Sequence, residues 1–341
     1  MTELREFVLG GLDALDPLAY FAALGCLSAI TERARCEGLE RPLLAWDRGS
    51  VVRARLYAPV QNDAELVGVL SRDLDVCAGR VEGGNEDRFL SFSYEAGSEA
   101  EVRDLKPRPA DFRSQALEAV SSALPMRRRT CDWFAATLSD VAVDGKGNAK
   151  PFAFHFTAGQ QRFLAVAHEL MHGGDKVSGV SEKDLSEAIF GPWKAERKLK
   201  AFRWSPTQER LYALRASDPS DDKPLGTPGA DWLALRAMTL ISSAPMGKRI
   251  VTGGVRGGWK DGVFTYPVWE TPVDYDAVNS LLRHPALGSD NDSKSTTHTV
   301  RRTVPAGIEL FTVRIVRSDQ GGYGAFTRPV RASFESASSV D

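Results

Sequence analysis

The sequence predicts an α+β fold, in which a mixed N-terminal α/β domain precedes a second domain of helices and antiparallel hairpins. Two observations lead to this prediction. Segments with helical spacing of apolar residues and short strand-like segments are both present, and their order does not follow the regular strand–helix alternation of a parallel sheet. The 341 residues are 43% hydrophobic and 26% charged, which is typical of a globular protein with one large or two ordinary domains.

The boundary between the two domains is predicted near residue 125. Residues 1–125 would form the N-terminal domain around a buried helix at 16–30. Residues 126–331 would form the second domain, which contains a helix at 157–172. The Ser-rich residues 332–341 are predicted to be a flexible tail.

The N-terminal domain is organised around that first helix. Asp16 is a good N-cap, and Pro17 suits the first helical position. The stretch that follows, Leu18 to Ile30, is apolar on nearly every side, as expected of a fully buried helix. The pattern predicts further strands at Leu43–Trp46, at Val51–Tyr57 and near Arg88–Tyr94, and helices near Asp63–Val76 and Asp111–Leu124.

The second domain is predicted to combine helices with hairpins. A strand-like stretch at Cys131–Val143, a turn at Asp144–Asn148 and a return strand at Phe152–Phe156 come first. Helices are then predicted at Glu182–Phe190, Ala230–Ile241 and Asp274–Leu282, and a hairpin joins Arg249–Val255 to Val263–Trp269.

The most distinctive segment is Thr157–Gly174, which predicts one helix with a clear start and end. Thr157 and Gln160 together match a capping box, and the glycines at 173 and 174 offer a C-cap. A broad apolar face is supplied by Phe163, Leu164, Val166, Ala167, Leu170 and Met171.

The last turn of this helix contains His168-Glu169-Leu170-Met171-His172, which matches H-E-x-x-H. Two histidines four residues apart share a helix face and can bind zinc, with Glu169 as the general base of a metallopeptidase. Such a site needs a third protein ligand. Glu187 is the main candidate, and Asp175 and Asp184 are the others nearby.

A structural helix is the alternative interpretation of the same segment. The sequence around Glu187 lacks the companion residues of the known zinc-peptidase motifs, and the glycines after His172 would place that ligand in a fraying turn. In this interpretation the chain is not an enzyme and needs no cofactor. The histidines would be surface residues whose partial positive charge suits the C-terminal end of a helix.

Two basic clusters are candidates for nucleic-acid binding, because cations bind phosphates and neighbouring aromatic rings can stack on bases. One is the run at 127–129, and the other lies in the segment 191–215. The candidate residues are Arg127, Arg128, Arg129, Lys194, Arg197, Lys198, Lys200 and Arg203, together with Arg256, Arg301 and Arg302. A solvated surface is the alternative explanation of each cluster.

The overall charge gives no general attraction to nucleic acid, since 43 basic and 45 acidic residues leave a net charge of −2. Binding would have to come from local clusters or from partners that carry most of the charge. The four cysteines form no C-x-x-C pair, and we expect free thiols and a cytoplasmic location. No apolar run is long enough to span a membrane.

Several blocks of the sequence resemble, in the same order, proteins from type I-G (formerly I-U) CRISPR effector operons. The blocks are LDPLAYFAALGCLSAI (Leu15 to Ile30), FTAGQQRFL (Phe156 to Leu164), LSEAIFGPW (Leu185 to Trp193), FRWSP (Phe202 to Pro206), YALRASDPS (Tyr212 to Ser220), GADWLALRAM (Gly229 to Met238) and FTYPVWETPVDYDAVNSLL (Phe264 to Leu282). The resemblance is one of block order over most of the chain and includes no catalytic motif.

This resemblance implies a non-catalytic subunit of a CRISPR surveillance complex, in the large-subunit role. Such a subunit would help to hold the guide ribonucleoprotein, recognise the protospacer-adjacent motif on duplex DNA, stabilise the R-loop and recruit the helicase-nuclease. The implied partners are the other effector subunits, the guide RNA, the target DNA and the helicase-nuclease. The family pattern does not require H-E-x-x-H, and it assigns no DNA-contacting residue by position. A protein-binding scaffold is the further alternative.

Overall fold

A computed structural model describes residues 3–121, 127–157, 161–174, 176–208, 225–284, 287, 306–317 and 323–332 of the chain. The helices are α1 (Pro17–Glu37), α2 (Asp63–Cys77), α3 (Pro109–Ser121), α4 (Arg127–Thr137), α5 (Phe163–His172), α6 (Glu182–Phe190), α7 (Pro228–Ala237) and α8 (Tyr275–Leu282). The strands are β1 (Arg5–Asp13), β2 (Leu43–Trp46), β3 (Arg53–Ala58), β4 (Tyr94–Ala96), β5 (Glu99–Val102), β6 (Ser243–Met246), β7 (Arg249–Thr252), β8 (Val255–Arg256), β9 (Val263–Trp269), β10 (Val273–Asp274), β11 (Ile308–Arg317), β12 (Gly324–Phe326) and β13 (Val330–Arg331).

The α+β class is confirmed, because helices are combined with sheets whose strands, among the described residues, all pair antiparallel. One sheet has the strand order β1-β3-β2-β10. A second has the order β12-β11-β9-β8, with β13 also paired to β11. The pairs β4–β5 and β6–β7 form separate two-stranded hairpins.

Helix α1 is buried on nearly every side, as its apolar sequence predicts. The Asp16 carboxylate caps the helix by accepting the amide of Leu18 at 2.9 Å. Helix α7 lies across α1 at Gly25, where an added Cβ would come within 1.7 Å of the carbonyl oxygen of Leu233. The crossing therefore requires glycine at position 25.

The surroundings of Phe21, on α1, show that this helix packs against both predicted segments of the chain. The rings of Phe154, Phe264 and Phe326 lie 5.3, 5.5 and 6.2 Å from that of Phe21. Strand β10 also joins the N-terminal sheet by pairing with β2. In the described part of the chain, one hydrophobic core thus extends across the boundary suggested near residue 125, and the two-domain division stays a prediction.

Where nearby residues cap a helix or close a turn, the observed element agrees with the one predicted from the sequence. The Ser181 hydroxyl and the Asp184 carboxylate form a reciprocal capping box at the start of α6, and Gly191 ends that helix. Asp274 caps α8 by accepting the amide of Ala277 at 3.0 Å. The turn at 144–148 is present as well, because Asp144 accepts hydrogen bonds from the amides of that turn.

Three predicted elements were wrong. The stretch at 131–143 begins as helix α4, because Thr130, Trp133, Phe134 and Thr137 recur at helical spacing and are all buried. Residues 152–156 pack as irregular chain whose Phe152 and Phe154 are fully buried. Most of the strand predicted at 88–94 consists of turns.

Two further predictions concern membrane-spanning segments and the cysteines. Within the described ranges, none of the helices is both long and apolar enough to cross a membrane. The cysteines at 26, 36, 77 and 131 form no disulfide bonds, as their spacing predicts. Of the predicted tail, only residue 332 belongs to the described ranges.

Candidate functional site

Helix α5, which carries the H-E-x-x-H motif, starts later than predicted. It begins at Phe163, and the capping box of Thr157 with Gln160 is wrong: Thr157 is 1% exposed and lies before the helix, and Gln160 falls outside the described residues. The first amide of the helix, on Phe163, donates instead to Asp104 Oδ1 at 3.0 Å. A carboxylate 59 residues earlier in the chain therefore takes the place of the local N-cap.

The same Asp104 oxygen also bonds His155 Nε2 at 2.8 Å. Burial by itself would raise the pKa of Asp104, but His155 and the amide of Phe163 outweigh it and bring the pKa to about 2. Asp104 is therefore ionised at neutral pH. Its negative charge at the N-terminal end of α5 interacts favourably with the helix dipole.

At the other end of α5 the two histidines of the motif lie side by side, as their spacing predicts. The rings of His168 and His172 are 4.6 Å apart. Glu86, from the loop after α2, reaches the same place, and its Oε1 is 3.6 Å from His172 Nε2. One ligand atom from each of the three residues lies within 4.8 Å of the others. Among the described residues this is the only such group of His, Cys, Asp or Glu.

Burial, followed by the nearby cation of Arg103 and by His172, lowers the pKa of His168 to about 4. The imidazole of His168 is therefore neutral at pH 7. A neutral imidazole has a free lone pair, which is the form that accepts a hydrogen bond or binds a metal.

The ligand and base roles suggested by the sequence are corrected. The Glu187 side chain caps the chain after α6 by accepting the amide of Lys194 at 2.9 Å, and it does not join the histidine group. Asp184 belongs to the capping box of α6, and Asp175 falls outside the described residues. Glu169 is only 7% exposed. Its carboxylate lies 2.9 Å from Lys200 Nζ and accepts the Lys200 amide at 3.1 Å, so it is engaged as an ion pair.

The arginine run at 127–129 has a different environment at each position. Arg128 is exposed and pairs with Asp132 one helical turn away at 2.8 Å. The prediction that Arg129 contributes to a phosphate-binding surface is corrected, because only 4% of its side chain is exposed and it pairs with Asp87 at 3.2 Å. The side chain of Arg127 lies outside the described part of the structure.

Arg129 belongs to a buried ionic cluster that no local pattern in the sequence indicates. Arg236, on α7, exposes 1% of its side chain and lies 2.8 Å from Asp73 and 2.7 Å from Glu32. Glu32 also accepts a hydrogen bond from Arg129 at 3.3 Å. The cluster joins α1, α2, α4 and α7, and its charges stabilise the fold only while they remain paired.

The second basic segment is also largely engaged with protein groups. Arg197 pairs with Asp184 at 3.2 Å and donates to the carbonyl of Ser178 at 2.6 Å. Lys200 pairs with Glu169. Arg203 is buried and lies over the ring of Tyr323 at 4.5 Å. Arg197, Lys200 and Arg203, which the sequence suggests as phosphate-binding residues, are thus engaged within the fold.

The other residues predicted to bind nucleic acid lie in different environments. Lys194 and Lys198 are exposed, and Arg256 is half-buried on β8. Arg301 and Arg302 fall outside the described residues. Of the predicted nucleic-acid candidates, Arg128, Lys194 and Lys198 have described side chains that are exposed.

A different group of cations, which we call the basic rim, is assembled only by the fold. It consists of Lys106, Arg108, Lys150, Lys248 and Arg249. The amide of Ala149 donates to the carbonyl of Pro107 at 2.8 Å, which places the turn at 144–148 beside residues 106–108. Lys150 Nζ donates to the carbonyl of Lys248 at 2.7 Å, which adds the β6–β7 hairpin.

The basic rim differs in its charge environment from the predicted residues Arg128, Arg197 and Lys200, which pair with carboxylates. Arg108, Lys248 and Arg249 are exposed, and the other two members are half-buried. In the described ranges, none of the five cations has a carboxylate within ion-pair distance. The sequence does not indicate the rim, because its members come from three separate segments that carry only one or two cations each and that the fold brings together.

No protein-family model, no curated protein and no solved structure matches this chain. The resemblance to type I-G CRISPR proteins therefore rests on the sequence blocks alone and stays a prediction.

Proposed function

We propose that this chain is a non-catalytic subunit of a type I CRISPR surveillance complex, in the large-subunit role. Its partners would be the other effector subunits, the guide RNA, the target DNA and the helicase-nuclease. Within that complex it would help to recognise the protospacer-adjacent motif, stabilise the R-loop and recruit the helicase-nuclease. The sequence blocks between Leu15 and Leu282, which follow the same order as in type I-G CRISPR proteins, support the assignment to this kind of complex.

The basic rim is the observation that carries the nucleic-acid part of the proposal. Exposed Lys and Arg side chains without carboxylate partners can neutralise phosphates and release counterions, which supplies most of the affinity for a nucleic-acid backbone. Arg108, Lys248 and Arg249 meet this condition, whereas Arg129 is engaged with buried acids. A net charge of −2 is compatible with such a local interface.

The geometry does not favour the zinc-peptidase alternative. A peptidase of this type needs the glutamate of H-E-x-x-H beside the metal-bound water as a general base. Glu169 is instead held by both the ammonium group and the amide of Lys200. A carboxylate so engaged is poorly placed to accept a proton from water.

The salt dependence of DNA binding tests the rim. Fluorescence anisotropy of a labelled duplex, measured across a salt series, gives the slope of log K against log salt. The double variant Lys248→Gln/Arg249→Gln should reduce the magnitude of that slope by about 0.9 for each phosphate that is no longer neutralised, hence by nearly 2. The matched control is Lys194→Gln/Lys198→Gln, which removes the same charge from exposed sites of the predicted segment.

The two double variants distinguish between the two possible nucleic-acid interfaces. An unchanged slope in the rim variant would show that the rim is ordinary solvated surface. If only the control pair flattens the slope, the interface lies on the segment at 194–198, and the assignment to the rim is wrong.

Membership of the complex needs its own experiment. The chain should be co-expressed with the other subunits of its operon and a guide RNA, and then purified through a tag on a different subunit. We expect it to co-elute with the guide ribonucleoprotein. Elution as a free chain under conditions in which the other subunits assemble would refute the proposal.

A protein-binding scaffold is the second candidate, and α3 provides a specific observation for it. Leu117 and Val120 on this helix are 60% and 58% exposed, and adjacent apolar side chains suit a protein partner. Nuclease treatment of the purified complex distinguishes the two roles. A scaffold should remain bound after the nucleic acid is removed and be released by Leu117→Asp, whereas a nucleic-acid-dependent subunit should be released by nuclease.

A further inference from the structure

The group formed by Glu86, His168 and His172 has the composition and spacing of a metal site. Two imidazoles and one carboxylate, with a fourth position left to water, form a ligand set known for zinc. The 3.6 Å between Glu86 Oε1 and His172 Nε2 is slightly longer than a normal hydrogen bond. It is close to the separation of about 3.3 Å expected for two ligands on one tetrahedral zinc ion.

The carboxylate oxygen itself lacks a donor. Glu86 Oε1 is shielded from solvent, and among the described residues nothing donates a hydrogen bond to it. A shielded carboxylate oxygen without a donor is unfavourable, because its desolvation is not compensated. A cation between Glu86 and the two histidines would provide the missing compensation.

The loop that carries Glu86 is held in place by its backbone. Glu86 forms a bridge with Ala78, and the amide of Asp87 donates to the carbonyl of Cys77 at 2.8 Å. Gly79 has φ +69°, and a Cβ there would come within 2.4 Å of the Glu86 amide nitrogen. The loop therefore folds tightly against the end of α2, which fixes the direction of Glu86.

The C-terminal end of α5 is held just as firmly, contrary to the fraying that its two glycines suggest. The amide of Val180 donates to the carbonyl of Leu170 at 2.8 Å. Gly179 packs so closely that a Cβ would lie 2.5 Å from the carbonyl oxygen of Met171. That same carbonyl accepts a hydrogen bond from Arg80 at 2.7 Å, which ties the Glu86 loop directly to the helix.

The surrounding cations do not oppose a bound metal strongly. Arg103 pairs with Glu101 at 2.8 Å, and Arg80 pairs with Asp75 at 2.7 Å. Lys200 is paired with Glu169. Each of these cations thus has a carboxylate partner, which reduces its repulsion of a bound metal ion.

We propose that Glu86, His168 and His172 bind a divalent transition-metal ion, with zinc the best fit, as a clamp between the loop after α2 and the end of α5. Mixed nitrogen and oxygen ligands favour zinc over magnesium or calcium, which prefer oxygen alone. The ion has a structural role, because Glu169 is tied to Lys200. This site is independent of the proposed nucleic-acid interface.

Calorimetric titration of the untagged, metal-free chain with zinc chloride tests the site. We expect one ion per chain. Glu86→Gln, which keeps the side-chain shape, should weaken binding by at least about tenfold, since even outer-sphere partners of metal ligands contribute that much. Glu187→Gln is the matched control, because it alters the carboxylate that the sequence suggests as a ligand, and its affinity should equal that of the wild type.

Cobalt absorption gives a readout of the ligands themselves. The wild-type chain with cobalt chloride should develop the visible bands of a tetrahedral ion, and His168→Ala should lose them while keeping its circular dichroism spectrum. Zinc binding that is absent, or equally strong in the wild type, Glu86→Gln and His168→Ala, would overturn the proposal. So would a loss of affinity in Glu187→Gln with none in Glu86→Gln.

Discussion

The crossing of α1 and α7 at Gly25 is the contact on which the shared core depends, and a single methyl group tests it. In Gly25→Ala the new Cβ would lie 1.7 Å from the carbonyl oxygen of Leu233 and 2.6 Å from its carbonyl carbon. Both atoms belong to the backbone of α7, so no side-chain rotation can relieve the overlap. The two helices must move apart by roughly 1 Å or more, in an interior that is close-packed.

The expected loss of stability follows from two opposing effects. Overpacking of a well-packed core costs about 1–3 kcal/mol, and a clash with backbone belongs at the upper end of that range. Alanine gains about 1 kcal/mol over glycine inside a helix, because it restricts the unfolded chain. We therefore expect Gly25→Ala to lower the free energy of unfolding by about 2 kcal/mol or more.

Urea unfolding followed by tryptophan fluorescence measures this change, and Gly68→Ala is the matched control. Gly68 lies inside α2, and a Cβ there would meet no atom within 4 Å. The control should therefore gain about 0.5–1 kcal/mol from helix propensity alone. If Gly25→Ala is as stable as the wild type, or gains as much as the control, α1 and α7 do not cross at Gly25 and the shared core is refuted.

Three further predictions concern charges that the fold buries or shields. Arg236→Ala should cost about 3–5 kcal/mol in urea unfolding, because it removes the cation 2.8 Å from Asp73 and leaves only Arg129, at 4.0 Å, beside that carboxylate; a loss below about 1 kcal/mol would mean that the cluster is solvated. Burial raises the pKa of Asp16 to about 6. The folded state then binds the proton more tightly than the unfolded one, so this group's stabilisation is complete below pH 4 and is lost as the pH rises through 6. Asp16→Asn removes this effect, and its stability relative to the wild type should rise by about 2 kcal/mol between pH 4 and 7; a constant difference would contradict the raised pKa. Asp104→Ala should cost about 2 kcal/mol, because the first amide of α5 loses a charged acceptor, whereas amide exchange at Phe163 that stays as slow as in the wild type would show that another group caps the helix.

The elements that the sequence predicted correctly are those whose signals are local. Asp16 lies next to the helix that it caps, and Ser181 lies three residues from its partner Asp184. The all-round apolar character of α1 is likewise contained within one continuous stretch of sequence. Capping and helical periodicity depend on neighbours within about one turn, so they can be recognised without the tertiary structure.

The elements that were missed or misplaced depend on partners far away along the chain. Asp104 starts α5 in place of Thr157, and Glu86 rather than Glu187 lies beside the two histidines. Arg129 belongs to a basic run in the sequence, yet its cation is neutralised by Asp87. A charge run records which residues are adjacent, and it contains no information about the acids that the fold brings to them.

The sequence by itself determined the α+β class, the buried helix α1 and the pairing of two histidines on one helix face, because each follows from spacing within a single segment. Only the tertiary structure decided which carboxylate joins the histidines, which arginines are buried and which cations form an exposed rim. Those outcomes depend on segments separated by tens to hundreds of residues that come within a few ångströms, as the 163 residues between Asp73 and Arg236 illustrate. Burial then determines whether a charge remains available to a ligand or is used within the fold.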